Sequence, residues 1–135
     1  MLRWPLRELV PTRQLRGEPP RRWSASPGAD LIVWLRDDGS PSGFQFCYDK
    51  EGDEHALTWL EANGYCHMAV DTGSAFDWGR GTPLLVPDGV LDAGRILEIF
   101  RAQSPFVPAS YSAVVIARLE ALAEKRDSGG EPALA

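Results

Sequence analysis

Four apolar stretches between residues 30 and 71 alternate hydrophobic and polar side chains with a period of two. They are separated by the turn-forming sequences DDGSPS, KEGD and EANG. Successive side chains of a strand point to opposite faces, so this alternation predicts four half-buried strands joined as hairpins. We place the strands at 30–36, 43–49, 54–60 and 65–71.

The three turns also predict a register for the four strands. A two-residue Asn-Gly turn at positions 63–64 is a strong hairpin signal, and the two longer loops close the other hairpins. Representative cross-strand pairs in this register are Val33–Phe46, Phe46–Leu57 and Trp59–Met68. The large apolar side chains then share one face, the predicted core face, because a slip of one residue would scatter them over both faces.

The pattern changes to helical spacing after residue 90. Apolar positions 93, 96, 97 and 100 predict a helix over 91–103, which begins near Asp88 or Asp92. A second apolar stripe predicts a helix from Pro108 to Arg126. The fold class is therefore α+β: a four- to five-stranded antiparallel β-meander, with a short fifth strand at 84–86, and two C-terminal helices packed on one face.

The chain divides into three parts on this interpretation. Residues 1–29 contain five prolines and form an irregular Arg/Pro-rich arm packed on the domain. Residues 30–126 form a single α+β domain. Residues 127–135 are polar and small, and we predict a disordered tail.

Charge is distributed unevenly along the 135 residues, whose net charge is -5. Residues 1–28 carry six arginines against Glu8 and Glu18, a balance of +4, while the remainder carries eight basic and seventeen acidic residues, a balance of -9. A basic arm can bind nucleic acid, but here it can also pair with its own acidic body, so nucleic-acid binding is the least favoured function. The N-terminus lacks the apolar core of a secretory signal and no run is long enough to span a membrane, which predicts a cytoplasmic protein.

Candidate catalytic chemistry is sparse. The two cysteines and two histidines show no metal-binding spacing, and no nucleophile elbow, Walker loop or dinucleotide motif occurs. The predicted register separates Cys66 from His67 and Cys47 from Cys66, because it places the members of each pair on opposite faces. We predict no catalytic residue, no metal ligand and no cofactor.

Two regions qualify as binding sites. The second sheet face mixes apolar and polar groups around Trp34, Gln45, Thr58 and His67, a composition typical of interfaces. We expect it to be covered by the arm, by a second copy of the chain or by a partner, and we expect Trp34→Ala to leave folding nearly intact. The second region is the Gly-rich loop 72–82, where Asp77, Trp78 and Arg80 are the candidate residues.

Three short motifs carry a family resemblance. GFQFCYDK at 43–50, RRW at 21–23 and LVPDG at 85–89 resemble a group of small uncharacterised bacterial proteins. The resemblance runs over residues 8–122 and implies a bacterial, cytoplasmic, single-domain protein. It implies no activity, so no site residue is carried over from it.

The favoured function is a non-catalytic binding or protein-interaction module that uses the second sheet face, with an unknown protein partner or self-association as a homodimer. The alternative is a small-ligand-binding protein or enzyme with a pocket near the 72–82 loop, lined by Asp77, Trp78, Arg80 and His55.

Overall fold

The computed structural model describes residues 4–9, 14, 16–17, 19–52, 54–69 and 91–129, with the backbone alone for 125–129. Within these ranges, a six-stranded antiparallel sheet follows the chain order without a crossover. Its strands are β1 (Arg7–Glu8), β2 (Arg21–Ala25), β3 (Ala29–Leu35), β4 (Pro41–Tyr48), β5 (His55–Leu60) and β6 (Gly64–Ala69). The helices are α1 (Ala93–Gln103) and α2 (Ala109–Gly129). The fold is α+β as predicted, but the sheet has more strands than the four to five expected.

The two additional strands lie in the segment predicted to be irregular. β2 pairs along β3, with Trp23 opposite Ile32, and β1 pairs with β2. Pro19 and Pro20 precede β2 and Pro27 follows it, so no proline interrupts β2 itself. The arm is ordered because β2 satisfies the backbone groups along the outer edge of β3.

The registers of β3, β4 and β5 preserve the predicted faces. Phe46 lies opposite Leu57, as the KEGD loop predicted. Between β3 and β4 the register differs by two residues, because the turn closes at Arg36–Ser40 and a bulge follows Trp34. A shift of two residues leaves every side chain on its predicted face.

The register of β6 is where the prediction is wrong. Trp59 lies opposite Tyr65 and not opposite Met68, a shift of three residues that reverses the faces of the strand. The turn is longer than the two-residue turn predicted: the N–H of Asn63 donates to the carbonyl of Leu60, and Gly64 follows with φ +84°. The glycine therefore closes a longer loop, which is built around a turn before the left-handed residue.

Both helices pack on the predicted core face of the sheet, hereafter the helix face. The side chain of Asp92 caps α1 by accepting from the N–H of Arg95 at 3.0 Å. Phe100 of α1 meets Phe46 of β4 edge-on, with ring centroids 5.3 Å apart. The core between sheet and helices includes Leu6, Leu31, Val33, Phe44, Phe46, Leu57, Ile96, Phe100, Val115 and Leu119.

Several predicted elements lie outside the described residues. These are the short strand 84–86, the loop 72–82, the last two residues of the fourth strand and the tail beyond 129. α2 itself continues to Gly129, three residues past its predicted end. Within the described ranges, no helix has the length and apolarity needed to cross a membrane.

Truncating the ring at the centre of the helix–sheet contact tests this packing. We expect Phe100→Ala to reduce the free energy of unfolding by about 3–5 kcal/mol, because Phe100 is fully buried and its loss leaves a cavity. The matched control is Phe106→Ala, which removes the same ring from an exposed turn and should change stability by less than about 1 kcal/mol. Urea denaturation measures both, and similar losses for the two variants would contradict the packing described.

Candidate functional site

A groove lies at one end of the second sheet face, where it is formed by one row of neighbouring residues on adjacent strands. Trp34, Gly43, Leu60 and Gly64 stand side by side on β3, β4, β5 and β6. Two of these four positions, on β4 and β6, have no side chain, so the row is lowered there. A Cβ placed on Gly43 would lie 2.7 Å from Cδ2 of Leu60, which shows that the leucine side chain lies over the glycine. The row therefore forms an apolar depression.

The groove has a volume of about 420 Å³. Trp34 forms its floor and Leu60 its apolar wall, while its rim is formed by Pro19, Ser42, Glu61, Ala62 and Asn63. A volume of this size falls within the range of about 300–1,000 Å³ that is typical of ligand sites. Since Pro19 and the turn 61–63 are exposed, the groove opens widely to solvent.

Two contacts fix the rim of the groove. The guanidinium of Arg36, just after β3, forms an ion pair with the carboxylate of Glu61, just after β5. The backbone N–H of Glu61 also donates to the carbonyl of Ser42 at 3.0 Å. Hydrogen bonding to Arg36 lowers the pKa of the Glu61 carboxyl, so this carboxylate is charged and paired at neutral pH. The negative charge of Glu61 at the rim is thus balanced by the guanidinium of Arg36.

Three of the predicted binding residues do lie on the second face, but they are buried. Trp34 is 3% exposed, Gln45 7% and Thr58 4%. Trp34 reaches the groove as its floor, whereas Gln45 and Thr58 do not line it. A Trp34→Ala substitution therefore removes a buried side chain, and the expectation that it leaves folding intact does not agree with this burial.

His67 is on the helix face, so its predicted place on the second face is wrong. The three-residue shift of β6 sets it opposite Leu57. Its Nε2 atom lies 2.6 Å from the hydroxyl of Tyr48, and its ring stacks on His55 with centroids 5.1 Å apart. Sequence reasoning missed this cluster of Tyr48, His55 and His67, hereafter the histidine cluster, because it depends on the register of β6.

The histidine cluster has limited chemical capacity. Burial, with a contribution from His55, lowers the pKa of His67 to about 4, so its imidazole is neutral at physiological pH. A neutral imidazole bonded to a phenol can accept or relay a proton. Among the described residues, however, no group of three or more His, Cys, Asp or Glu side chains could hold a metal ion.

The two thiols share the second face, and the prediction that they lie on opposite faces is wrong. Cys47 lies opposite Ala56 and Cys66 opposite Thr58, because β6 is shifted. Both are free cysteines, as expected. Burial raises the pKa of the Cys47 thiol to about 11, which suppresses the thiolate that nucleophilic chemistry requires.

A second cavity of about 420 Å³ lies between the ends of β3 and β4 and helix α1. Its cations are already matched by carboxylates, since Arg95 contacts Asp49 and Lys50 contacts Asp30, each at 3.0 Å. The Arg95–Asp49 pair joins α1 to the sheet. Both cations are therefore already paired, and the carboxylate of Glu51 also lines the cavity, so the site offers no unpaired cation to an anionic ligand.

The remaining candidates, Asp77, Trp78 and Arg80, lie outside the described residues. Comparison of the chain with protein-family models, curated proteins and solved structures finds no match. The resemblance to small bacterial proteins therefore stays a prediction.

The histidine cluster predicts how stability depends on pH. The pKa of His67 is about 4 in the folded chain and about 6.5 when unfolded, so the unfolded chain binds more protons between these values. Stability from the neutral imidazole is complete above pH 6.5 and is lost as the pH falls towards 4. We expect His67→Gln, which cannot titrate, to lose less stability than the parent over this window.

Urea denaturation of parent and variant at pH 7, 5.5 and 4.5 measures the difference. Carboxylate titration is common to both chains and cancels in the comparison. Parallel pH profiles for the two chains would contradict the environment described for His67.

Proposed function

We propose that this chain is a non-catalytic protein-interaction module and that the groove beside Trp34 is its binding site. The observation that carries the proposal is an apolar floor and wall, Trp34 and Leu60, enclosed by a polar rim at an exposed end of the sheet. An apolar centre with a polar rim is the general anatomy of protein interfaces. The site accommodates one apolar side chain of a partner.

The shape of the groove favours a protein over a small molecule. Pockets for small ligands bury most of the ligand surface. Here Pro19 and the turn residues Glu61, Ala62 and Asn63 are exposed, so a small molecule would keep much of its surface in water. A partner protein covers the opening with its own surface, which turns an open groove into a closed contact.

The walls are also held firmly enough for recognition. Leu60 and Ser42 belong to adjacent paired strands, and the Arg36–Glu61 ion pair connects the 61–63 turn of the rim to the end of β3. A preformed site avoids much of the entropy loss of ordering side chains on binding. The chain has a net charge of -5, so long-range attraction favours a basic partner.

The alternative function is a small-ligand or catalytic site at the histidine cluster. The observation in its favour is the 2.6 Å contact between Tyr48 and His67, with His55 stacked beside it. His55 is also a residue that the sequence placed in a pocket near the 72–82 loop. We favour the groove because the residues that form its floor and rim are described, whereas the 72–82 loop of the alternative pocket lies outside the described residues.

Amides of single amino acids can serve as probes of the groove. N-acetyl amides of leucine, phenylalanine and tryptophan would be titrated into the isotopically labelled chain and followed by NMR. We expect shifts confined to Ser42, Leu60 and the 61–63 turn, with dissociation constants on the order of 1 mM, because probes of this size gain only a few kcal/mol.

A matched pair of variants sharpens the titration. Ala62→Arg places a long charged side chain on the rim and should abolish the shifts, whereas Ala102→Arg adds the same group at an exposed position of α1 and should leave them unchanged. Shifts centred on Tyr48, His55 and His67 would favour the alternative function. Shifts that survive in Ala62→Arg would contradict the proposed site.

A further inference from the structure

Strand β1 meets the turn between the two helices at one corner of the molecule, and large exposed apolar side chains lie on both segments. Among the described residues, the exposed large hydrophobic side chains are Trp4 at 64%, Phe106 at 56% and Leu9 at 45%. Trp4 and Leu9 flank strand β1, and Phe106 lies in the turn between α1 and α2. The guanidinium carbon of Arg7, in β1, lies 4.5 Å from the centre of the Phe106 ring. We call these four residues the aromatic corner.

The aromatic corner is held in place by the fold and is not a frayed end. Leu6 is completely buried between Trp4 and Arg7, and its N–H donates to the carbonyl of Gln103 at the end of α1. The N–H of Leu9 donates to the carbonyl of Trp23 on the other side of the strand. The backbone that carries the exposed side chains is thus fixed both to a helix and to the sheet.

Arg7 gives the corner its charge. It forms no ion pair with the carboxylates of the described residues, unlike Arg22, which pairs with Glu8, or Arg101, which pairs with Glu120. Its guanidinium donors therefore remain available while its planar face covers Phe106. Tryptophan and arginine are the residues most often found at the energetic centre of protein interfaces.

We propose that the aromatic corner is a second docking surface, distinct from the groove, that binds a protein segment in which a carboxylate neighbours an apolar side chain. The apolar side chain packs against Trp4 and Phe106, and the carboxylate accepts hydrogen bonds from Arg7. Arginine and carboxylate can form two parallel hydrogen bonds, which gives this contact a defined orientation as well as attraction.

Charge argues for this partner over the two other possible occupants. A membrane surface rich in anionic lipid usually attracts a cluster of about four to eight basic residues, whereas the described residues of the corner include one arginine. A symmetric contact between two copies of the chain would bring two corners, and hence two Arg7 cations, towards one another. A segment with a single carboxylate needs only the one guanidinium that Arg7 supplies, and it brings no second cation to the corner.

Peptide selection on the full-length chain tests the proposal. A phage-displayed library of random twelve-residue peptides would be selected on the parent chain and counter-selected on Phe106→Ser, whose folding is checked by urea denaturation. We expect the surviving peptides to carry Asp or Glu within two positions of Leu, Ile, Phe or Trp. Fluorescence anisotropy of synthetic copies then gives their dissociation constants.

Point variants define the contribution of the charge. We expect Arg7→Glu to weaken binding of these peptides at least about tenfold, and Trp4→Ala to weaken it as well. Arg16→Glu makes the same change of charge in an exposed turn outside the corner, and should stay within about twofold of the parent. Ala62→Arg, which closes the groove, should also leave the binding unchanged, so the two surfaces are tested separately.

Four results would overturn the proposal. The first is a selection that yields no peptide dependent on Phe106, and the second is a set of peptides without carboxylates. The third is a dimer of the parent chain, seen by light scattering, that Phe106→Ser converts to a monomer, since the occupant would then be a second copy. The fourth is retention of the chain on phosphatidylserine vesicles that Phe106→Ser removes, which would identify a membrane surface.

Discussion

The alternation of side chains across the sheet is the constraint on which the rest of the structure depends. Each strand can place only every second residue against the helices, so its pairing register decides which residues are core and which are available for other contacts. Phe46 and Leu57 lie opposite one another on the helix face, where Phe46 meets Phe100 of α1. The groove, at the end of the other face, follows from the same register.

The sequence predicted the part of the register that short loops determine. The short KEGD loop closes the β4–β5 hairpin in one simple way, and the predicted β4–β5 pairs are confirmed. The β3–β4 pairs were displaced by two residues, yet the faces survived because two is the period of a strand. The predicted register of the β5–β6 hairpin is wrong because the glycine of an Asn-Gly pair, here Gly64, can have two roles. It can be a turn residue, or it can be the left-handed residue after a longer turn. Local sequence does not distinguish these closures, since tertiary contacts such as that of Tyr48 with His67 favour one of them.

The N-terminal segment illustrates a second limit. Its prolines predicted irregular structure, but they lie outside the paired residues. The segment RRWSA pairs with the edge of β3. The β2–β3 pairing closes over the short turn 26–28, but prolines on both sides of RRWSA obscure its strand pattern. The binding sites show a further limit. Trp34 was identified from the mixed composition of the predicted second face, whereas the groove beside it depends on Gly43 lying next to Leu60 on the neighbouring strand.

The two proposed surfaces share a physical basis. Each places apolar groups on backbone that is fixed by sheet or helix contacts, and each includes an arginine: Arg36 is paired with Glu61 at the rim of the groove, and Arg7 stacks on Phe106. The buried thiol of Cys47 and the neutral imidazole of His67 contribute to the interior instead. Neither of these two titratable groups lines the proposed groove.

The register of β6 decides both the histidine cluster and the open end of the second face, and NMR cross-strand contacts measure it directly. We expect nuclear Overhauser effects between Trp59 and Tyr65 and between the rings of His55 and His67, which lie 5.1 Å apart. A contact between Trp59 and Met68 in place of these would establish the two-residue turn, return His67 to the second face and contradict the account.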